Sequence, residues 1–308
     1  MKLNIIALGD VGQNLLLGLK LLGGEAIDEI GIYDINENLV KRLEIEMGQI
    51  AVLKPRVMAL SEEELLCCDA LVFCASRGVP PVGAEGDVRM AQLEANGELV
   101  RALGERIAKS DSVPDFVFIM SDPVDQLCNM MLESSGLAPE KIRGLGLGVM
   151  NARAVYYAKR DERFSSYLND GRVFGPHGKD LVVANSITEY DDELSRELTE
   201  LVVNANREVR ELGYKPYIAP AISSGALSII GVLKGEWTYG SVYMTEAISD
   251  EAEGASASIS SQSTDGKATY FGMLSRWNGS RWETEDAELP ASLKERIAES
   301  YRCLIESE

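Results

Sequence analysis

The residues best suited to bind a ligand form a glycine turn close to the N-terminus. Ala7 to Gly12 reads A-L-G-D-V-G, which keeps the second and third glycines of the pattern GxGxxG and has Ala7 at the first. Such turns bind nucleotides because glycine lets the backbone approach a pyrophosphate at the N-terminus of a helix. Asp34 follows at about the twenty-residue separation at which an acid accepts hydrogen bonds from ribose hydroxyls. Because a carboxylate there repels a 2′-phosphate, the pattern predicts NAD rather than NADP.

The supply of metal-binding and nucleophilic residues is small. The chain has one histidine, His177, and five cysteines without a CxxC pair. A single histidine excludes a metal site built from several histidines, so a zinc hydrolase of that kind is excluded and we predict no metal cofactor. The odd number of cysteines favours free thiols in a reducing cytoplasm over a disulfide framework.

Composition narrows the possible partners. Among 308 residues, 30 Lys and Arg face 49 Asp and Glu, a formal charge of −19. Nucleic acids and anionic membranes bind clustered Lys and Arg, so we expect neither as a partner. No apolar run reaches the roughly 20 residues that cross a bilayer. The first residues lead directly into a strand pattern, so we expect no signal peptide and a cytoplasmic location.

The elements that must position these residues are clearest in the first half. Residues 3–8 and Ile27–Asp34 have strand patterns, and a leucine-rich stretch at helical spacing, Asn14 to Leu22, lies between them. This order is the βαβ unit of a parallel sheet. Ala70–Ala75 and Phe116–Ser121 are continuous apolar runs, typical of strands covered on both faces. A helix is predicted between these two strands, from Met90 to Ala108.

The second half has a different pattern. It predicts a hairpin, two helices, three antiparallel strands and a final helix: Arg172–Gly175 with Leu181–Asn185, then Glu189–Leu212, Ser224–Leu233, Ser241–Ala247, Thr269–Trp277, Arg281–Thr284 and Pro290–Ile305. A stretch rich in Ser, Ala and Gly, Ser249–Lys267, is predicted to be a flexible loop. The fold class is therefore α/β, a Rossmann-type doubly wound parallel sheet followed by an α+β C-terminal domain. We place the boundary between residues 1–146 and 147–308.

Three further segments resemble a known family. Ser121 to Asp125 reads S-D-P-V-D, similar to the S-N-P-V-D of the lactate and malate dehydrogenases. Gly175 to Gly178 reads G-P-H-G and resembles their G-E-H-G, which carries the catalytic histidine. Asn151-Ala152-Arg153 occupies the place of the family's arginine that holds the substrate carboxylate. Order and spacing match over essentially the whole chain, which is identified as a divergent member.

The resemblance implies a reaction and roles for residues. A hydride passes between nicotinamide and the C2 carbon of a 2-hydroxy or 2-oxo acid. Arg153 corresponds to the carboxylate clamp, Arg89 to the loop arginine that polarises the carbonyl, and His177 to the group that gives or takes the proton. The implied NAD-binding residues are Gly9, Asp10, Val11, Gly12, Asp34 and Ala75. A homodimer or homotetramer is also implied.

Two positions depart from the family pattern. The aspartate that orients and charges the catalytic histidine is replaced by Met150, whose thioether offers no charge and no useful acceptor. Asp122 stands where the family has asparagine before Pro-Val-Asp. Two interpretations follow. Either Asp122 is a relocated partner for His177 or for a substrate cation, and the chain is an enzyme, or the chain is a catalytically reduced NAD-binding relative with a regulatory or structural role.

Substrate specificity also departs from the pattern. The loop from Ala75 to Arg89 is several residues longer than usual, and Gly83 falls where the family separates malate from lactate. Arg77 is the loop's other cation. Ala219-Pro220-Ala221, at the second side-chain-contacting position, is apolar and rigid. These residues favour a larger or less polar 2-hydroxy acid over a small dicarboxylate, unless the loop has simply drifted.

Overall fold

A computed structural model describes residues 1–76, 88–245 and 268–307 of the chain. Its N-terminal half contains six parallel strands: β1 (Lys2–Ile6), β2 (Glu29–Tyr33), β3 (Arg56–Ala59), β4 (Ala70–Phe73), β5 (Phe116–Ile119) and β6 (Ile142–Gly144). Their order across the sheet is β6-β5-β4-β1-β2-β3. The chain therefore starts in the middle of the sheet, winds out to one edge and returns to build the other, which confirms the predicted Rossmann-type fold.

Helices cover both faces of this sheet. They are α1 (Asp10–Leu22), α2 (Glu37–Gln49), α3 (Val88–Ala108) and α4 (Val124–Ser135). The next helix, α5 (Leu147–Ala158), follows β6 and packs against elements of the second half. Every residue of β4 and of β5 is buried, because helices pack on both sides of these central strands. The predicted βαβ unit and the predicted helix between β4 and β5 are both confirmed.

After α5 come the two short strands that flank His177 and the helices next to them. These elements are α6 (Tyr167–Asp170), β7 (Arg172–Phe174), β8 (Val182–Ala184) and α7 (Asp192–Glu211). The strands β7 and β8 pair antiparallel, as the sequence predicts. Asp191 caps α7, since its side chain accepts a hydrogen bond from the Leu194 N–H at 3.0 Å. A π-helical segment, Pro220–Ala226, then runs directly into α8 (Leu227–Leu233), so this helical region begins before the predicted Ser224.

The C-terminal strands do not form a separate sheet. β9 (Thr238–Thr245), β10 (Ala268–Trp277) and β11 (Trp282–Thr284) are antiparallel, and β9 pairs with β6 where Gly144 faces Ser241. Within the described ranges the result is one nine-stranded sheet with the order β11-β10-β9-β6-β5-β4-β1-β2-β3. The last helix, α9 (Ala291–Glu306), packs beside β8 and β10. The sequence predicts these strands but not their attachment to the first sheet.

A buried arginine occupies the junction between β6 and the added strands. The Arg143 side chain is fully buried, with its guanidinium 4.0 Å from the centre of the Trp282 ring. It donates hydrogen bonds to the Ser275 hydroxyl at 2.8 Å and to the Thr238 carbonyl at 3.0 Å. Burial lowers the pKa of Arg143 to about 9. These bonds connect β6 to β9 and β10.

Some predictions lie outside the described residues. The loop with Arg77 and Gly83 and the segment Ser249–Lys267 belong to the parts of the chain that the structure does not describe. Among the residues it does describe, no helix is both long enough and apolar enough to span a lipid bilayer.

Candidate active site

The glycine turn lies between β1 and α1, with Gly9 as the residue before the first helical turn. A Cβ atom on Gly12 would lie 2.2 Å from the Ala7 carbonyl oxygen, so only glycine permits this contact of helix with strand. Ala7 itself has a φ of +72°, in the left-handed region that the first glycine of the fingerprint usually occupies. The turn therefore has the shape of a nucleotide-binding loop, although one of its three glycines is missing.

Asp34 is joined to this turn directly. It follows the end of β2, and its carboxylate accepts hydrogen bonds from the Leu8 N–H at 2.7 Å and the Asn36 N–H at 2.9 Å. Each oxygen has a further lone pair that can accept from a ribose hydroxyl. The glycine turn at the α1 N-terminus and this acid together fit a dinucleotide, with backbone N–H groups for the pyrophosphate and Asp34 for the ribose.

An ion pair lies beside the same turn. Asp10, the first residue of α1, has its carboxylate 3.5 Å from the ammonium of Lys215, which lies between α7 and the π-helical segment. Both side chains are more than half exposed, at 53% and 71%. The pair brings a residue of the C-terminal half to the edge of the predicted cofactor site. The sequence alone does not suggest Lys215, because it belongs to no motif.

The ends of β4 and β5 form the next part of the site. The Ser121 hydroxyl donates to the Ala75 carbonyl at 2.5 Å, which joins the two strand ends. Asp122 follows and is exposed, and its carbonyl accepts a hydrogen bond from the Asn96 side chain at 2.8 Å. Ala75 and Asp122 thus lie on the same edge of the sheet as the glycine turn, where the parallel strands end.

Arg153 lies on α5, and its guanidinium is largely desolvated. One of its nitrogens contacts the Met150 sulfur at 3.4 Å and donates to the Val202 carbonyl at 3.3 Å. Burial lowers the pKa of Arg153, and the nearby Tyr157 and Asp122 act in the opposite direction. Among the described residues, Arg153 contacts this sulfur and this carbonyl and forms no ion pair with a carboxylate. Its charge is therefore available to an anionic ligand, attracted by a guanidinium with little competing water.

His177 lies in the connection between β7 and β8. Its Nδ1 atom is 2.9 Å from the Gly146 carbonyl oxygen. A carbonyl only accepts hydrogen bonds, so Nδ1 carries the proton and Nε2 of the neutral ring is the basic nitrogen. The partner of His177 is therefore a backbone carbonyl, neither Asp122 nor Met150. Met150 is 2% exposed and contributes to the core beneath α5.

The Gly146 carbonyl has a second donor, the Ser224 hydroxyl at 2.8 Å. Sequence reasoning missed both residues as parts of the site. Gly146 belongs to a Leu-Gly-Leu-Gly stretch that suggests only a domain boundary, and Ser224 is a small polar residue in a helical pattern. No sequence signal separates this serine from its neighbour Ser223.

Arg89 falls in the first turn of α3. Its side chain lies outside the described part of the structure, so its predicted role stays a prediction. The other predicted residues are positioned by the turn after β1, the ends of β2, β4 and β5, the helix α5 and the connection between β7 and β8.

Comparison with known proteins finds similarity to the lactate and malate dehydrogenases in sequence and a shared fold among solved structures. Residues 1–144 match the family model described as lactate/malate dehydrogenase, NAD binding domain, which confirms the predicted cofactor, NAD. The chain is 27% identical over 237 residues to the "Probable malate dehydrogenase" of Campylobacter jejuni, covering 72% of this chain and 76% of that protein. It is 23% identical over 233 residues to the L-lactate dehydrogenase B chain of Homo sapiens, covering 69% and 68%.

Solved structures agree on the fold. The malate dehydrogenase of Archaeoglobus fulgidus, solved in complex with NADH, aligns with a TM-score of 0.74 at 19% identity. The alignment covers 99% of this chain and 98% of that one, so the likeness includes the C-terminal strands and α9. This chain therefore shares its fold with that malate dehydrogenase.

Proposed function

We propose that the chain catalyses NAD-dependent oxidoreduction of a 2-hydroxy or 2-oxo acid, because residues 1–144 match the NAD-binding domain of the lactate/malate dehydrogenases and the matched relatives are dehydrogenases of that kind. Bound NAD supplies the hydride acceptor or, reduced, the donor. The observation that supports the proposal best is the meeting of three groups at one sheet edge: the glycine turn with Asp34, the desolvated Arg153, and His177 with its basic nitrogen defined. A non-catalytic relative is not favoured, since the named relatives are dehydrogenases.

Arg153 is proposed to hold the substrate carboxylate. A guanidinium can give two parallel N–H donors to a carboxylate, which an ammonium cannot. Its guanidinium contacts a carbonyl and a thioether rather than an acid, which leaves the positive charge uncompensated at close range. Asp122 acts on it from farther away and is proposed to limit how strongly a substrate carrying extra negative charge binds.

His177 is proposed to transfer the proton at Nε2. In the reducing direction the protonated ring donates to the forming alkoxide, and in the oxidising direction neutral Nε2 removes the hydroxyl proton. Arg89 is proposed to polarise the carbonyl from its place at the start of α3. The apolar Ala219-Pro220-Ala221 segment supports a substrate with a larger or less polar side chain than malate. The division at residue 146, a cytoplasmic location and a homo-oligomer stay predictions.

Turnover of a panel of 2-oxo acids tests the proposal. Purified protein with NADH is offered acids of increasing side-chain size, and NADH oxidation is followed by absorbance. We expect measurable turnover, with NADH preferred to NADPH and apolar acids preferred to oxaloacetate. NADH binding without turnover of any 2-oxo acid would contradict the proposed reaction.

A variant pair tests the clamp. Arg153→Lys is expected to lower kcat/KM about 100-fold, mostly through KM for the acid, because the two-donor contact is lost. Arg160→Lys, in the exposed turn that follows α5, is the matched control and is expected to leave kcat/KM unchanged. Equal effects of both variants on kcat/KM would contradict the proposed role of Arg153 in substrate binding.

A further inference from the structure

One backbone carbonyl near the site accepts two hydrogen bonds from side chains. The Gly146 oxygen receives the His177 Nδ1–H at 2.9 Å and the Ser224 hydroxyl at 2.8 Å. Ser224 is 1% exposed. This contact crosses 78 residues of sequence and joins the end of β6 to the π-helical segment. The position of the carbonyl is thus determined from outside its own turn.

The direction of the Ser224 hydroxyl is unambiguous. Its oxygen accepts the Val149 N–H at 2.8 Å, a donor in the first turn of α5 that has no partner within the helix. The hydroxyl hydrogen must therefore be used elsewhere, and the Gly146 oxygen is the acceptor within reach. These groups form one hydrogen-bonded chain: the Val149 N–H donates to the Ser224 hydroxyl, which donates to the Gly146 carbonyl. The His177 ring donates to the same carbonyl oxygen.

Close packing keeps this chain in one arrangement. A Cβ atom on Gly146 would lie 2.9 Å from the His177 Cβ and 3.1 Å from its Nδ1, so the ring rests directly on the glycine backbone. A Cβ on Gly148 would lie 2.5 Å from the Ser223 carbonyl oxygen. Two glycines therefore let the turn before α5 approach both the histidine and the serine segment closely.

We propose that Ser224 is a positioning residue for His177, and that Ser224 and the Gly146 carbonyl together replace the orienting carboxylate that is absent at Met150. The inference rests on the proposed role of His177 as acid and base. A carbonyl held in place selects the Nδ1–H tautomer and keeps Nε2 free for the substrate. An imidazole side chain in water prefers the opposite tautomer, with the proton on Nε2, so the selection has a measurable signature.

Nitrogen NMR on the intact chain reads the tautomer directly. Because His177 is the only histidine, its two ring nitrogens are assigned without further variants. At a pH where the ring is neutral, we expect a protonated Nδ1 and an unprotonated Nε2 in the wild type. In Ser224→Ala we expect a large part of the population to change to the Nε2–H tautomer, since the carbonyl is no longer held. A wild type with Nε2–H, or an Ser224→Ala variant that keeps Nδ1–H, would overturn the proposal.

Two further variants keep the test decisive. Ser223→Ala, the neighbouring position, is the control and is expected to leave the tautomer unchanged. Ser224→Cys retains a weak donor of similar shape and is expected to give an intermediate population, and it serves if the alanine variant does not fold. A tautomer that follows Ser223 rather than Ser224 would also reject the assignment.

Kinetics separate this inference from the proposed reaction. Ser224→Ala is expected to lower kcat about tenfold with little change in the NADH dissociation constant, as for other residues that orient a functional histidine. If the tautomer changes as expected but no 2-oxo acid is turned over by the wild type, the proposed reaction fails and the positioning role stands. If turnover is found and the tautomer does not respond, the positioning role alone fails.

Discussion

The cofactor side and the substrate side of this cleft are built in different ways. On the cofactor side, the glycine turn and Asp34 lie within one βαβ unit, and Asp34 accepts the Leu8 N–H of the turn it serves. On the substrate side, the His177 ring rests on Gly146, which is held by Ser224, so three distant segments meet. The first arrangement follows the family pattern, and the second departs from it at Met150 and Asp122.

The difference between the two sides reflects what cofactor binding and histidine orientation each require. A pyrophosphate site needs the N-terminus of α1 packed closely on the end of β1, and this packing requires glycine at Gly12, where a side chain would meet the Ala7 oxygen. Orienting an imidazole requires only a well-held acceptor, and any carbonyl can provide one. The orienting aspartate can therefore disappear from the sequence while its geometric task is retained. Its negative charge is not replaced, so we expect that restoring the charge would raise the rate.

Restoring that charge is the strongest test of the comparison. Met150→Asp is expected to raise kcat about tenfold, because a carboxylate stabilises the imidazolium as well as orienting it. Met150→Asn is the matched control, since it offers an acceptor of the same shape without charge, and we expect less than a twofold rise. Steady-state kinetics measure both, with circular dichroism to confirm folding of these core variants. Equal kcat values for the two variants would mean that the Gly146 carbonyl fully replaces the missing aspartate.

On the cofactor side, Asp34→Asn is expected to weaken NADH binding about tenfold, since one acceptor for ribose is exchanged for a donor. NADPH binding should weaken less, because the charge that repels the 2′-phosphate is gone. Fluorescence titration gives both constants. Asp69→Asn is the control, as Asp69 accepts the Lys2 N–H at 2.7 Å at the opposite end of the same strands. A loss of NADH affinity equal to that of the control variant would contradict the assignment.

The missing first glycine offers a test of stability. Ala7→Gly is expected to raise the free energy of unfolding by about 0.5–1 kcal/mol, because glycine adopts a φ of +72° without steric conflict. Urea denaturation measures it. Ala102→Gly, at an exposed position in α3, should lower the free energy of unfolding by about 1 kcal/mol. A loss of stability at both positions would show that the turn is not strained by Ala7.

The ion pair at the edge of the turn is expected to have the smallest effect. Asp10→Asn should tighten NADH binding about threefold, and Lys215→Ala should weaken it by a similar factor, since both charges lie near the pyrophosphate position. Both effects should be much smaller at about 0.5 M salt, because the electrostatic screening length is then only a few ångströms. Effects that persist at high salt would point to a structural rather than an electrostatic cause.

Much of the fold was accessible from sequence because its signals are local. Continuous apolar runs predict β4 and β5, and two short strand patterns on either side of His177 predict the hairpin of β7 and β8. The attachment of β9 to β6 was not accessible, because it depends on pairing between residues almost one hundred positions apart. The buried Arg143 at that junction looks like an ordinary surface residue in the sequence.

The sequence alone was enough to predict the Rossmann-type fold, the binding of NAD and His177 as the candidate acid and base. Each of these predictions depends on residue types within one segment or one βαβ unit. Tertiary structure alone decided which atom the histidine binds. Met150 shows in the sequence that the aspartate is missing. The sequence does not show that a backbone carbonyl takes its place, because every residue has such a carbonyl. Ser224 contacts Gly146 only after the segments have folded together. A hydrogen-bond partner supplied by the main chain becomes visible only in three dimensions.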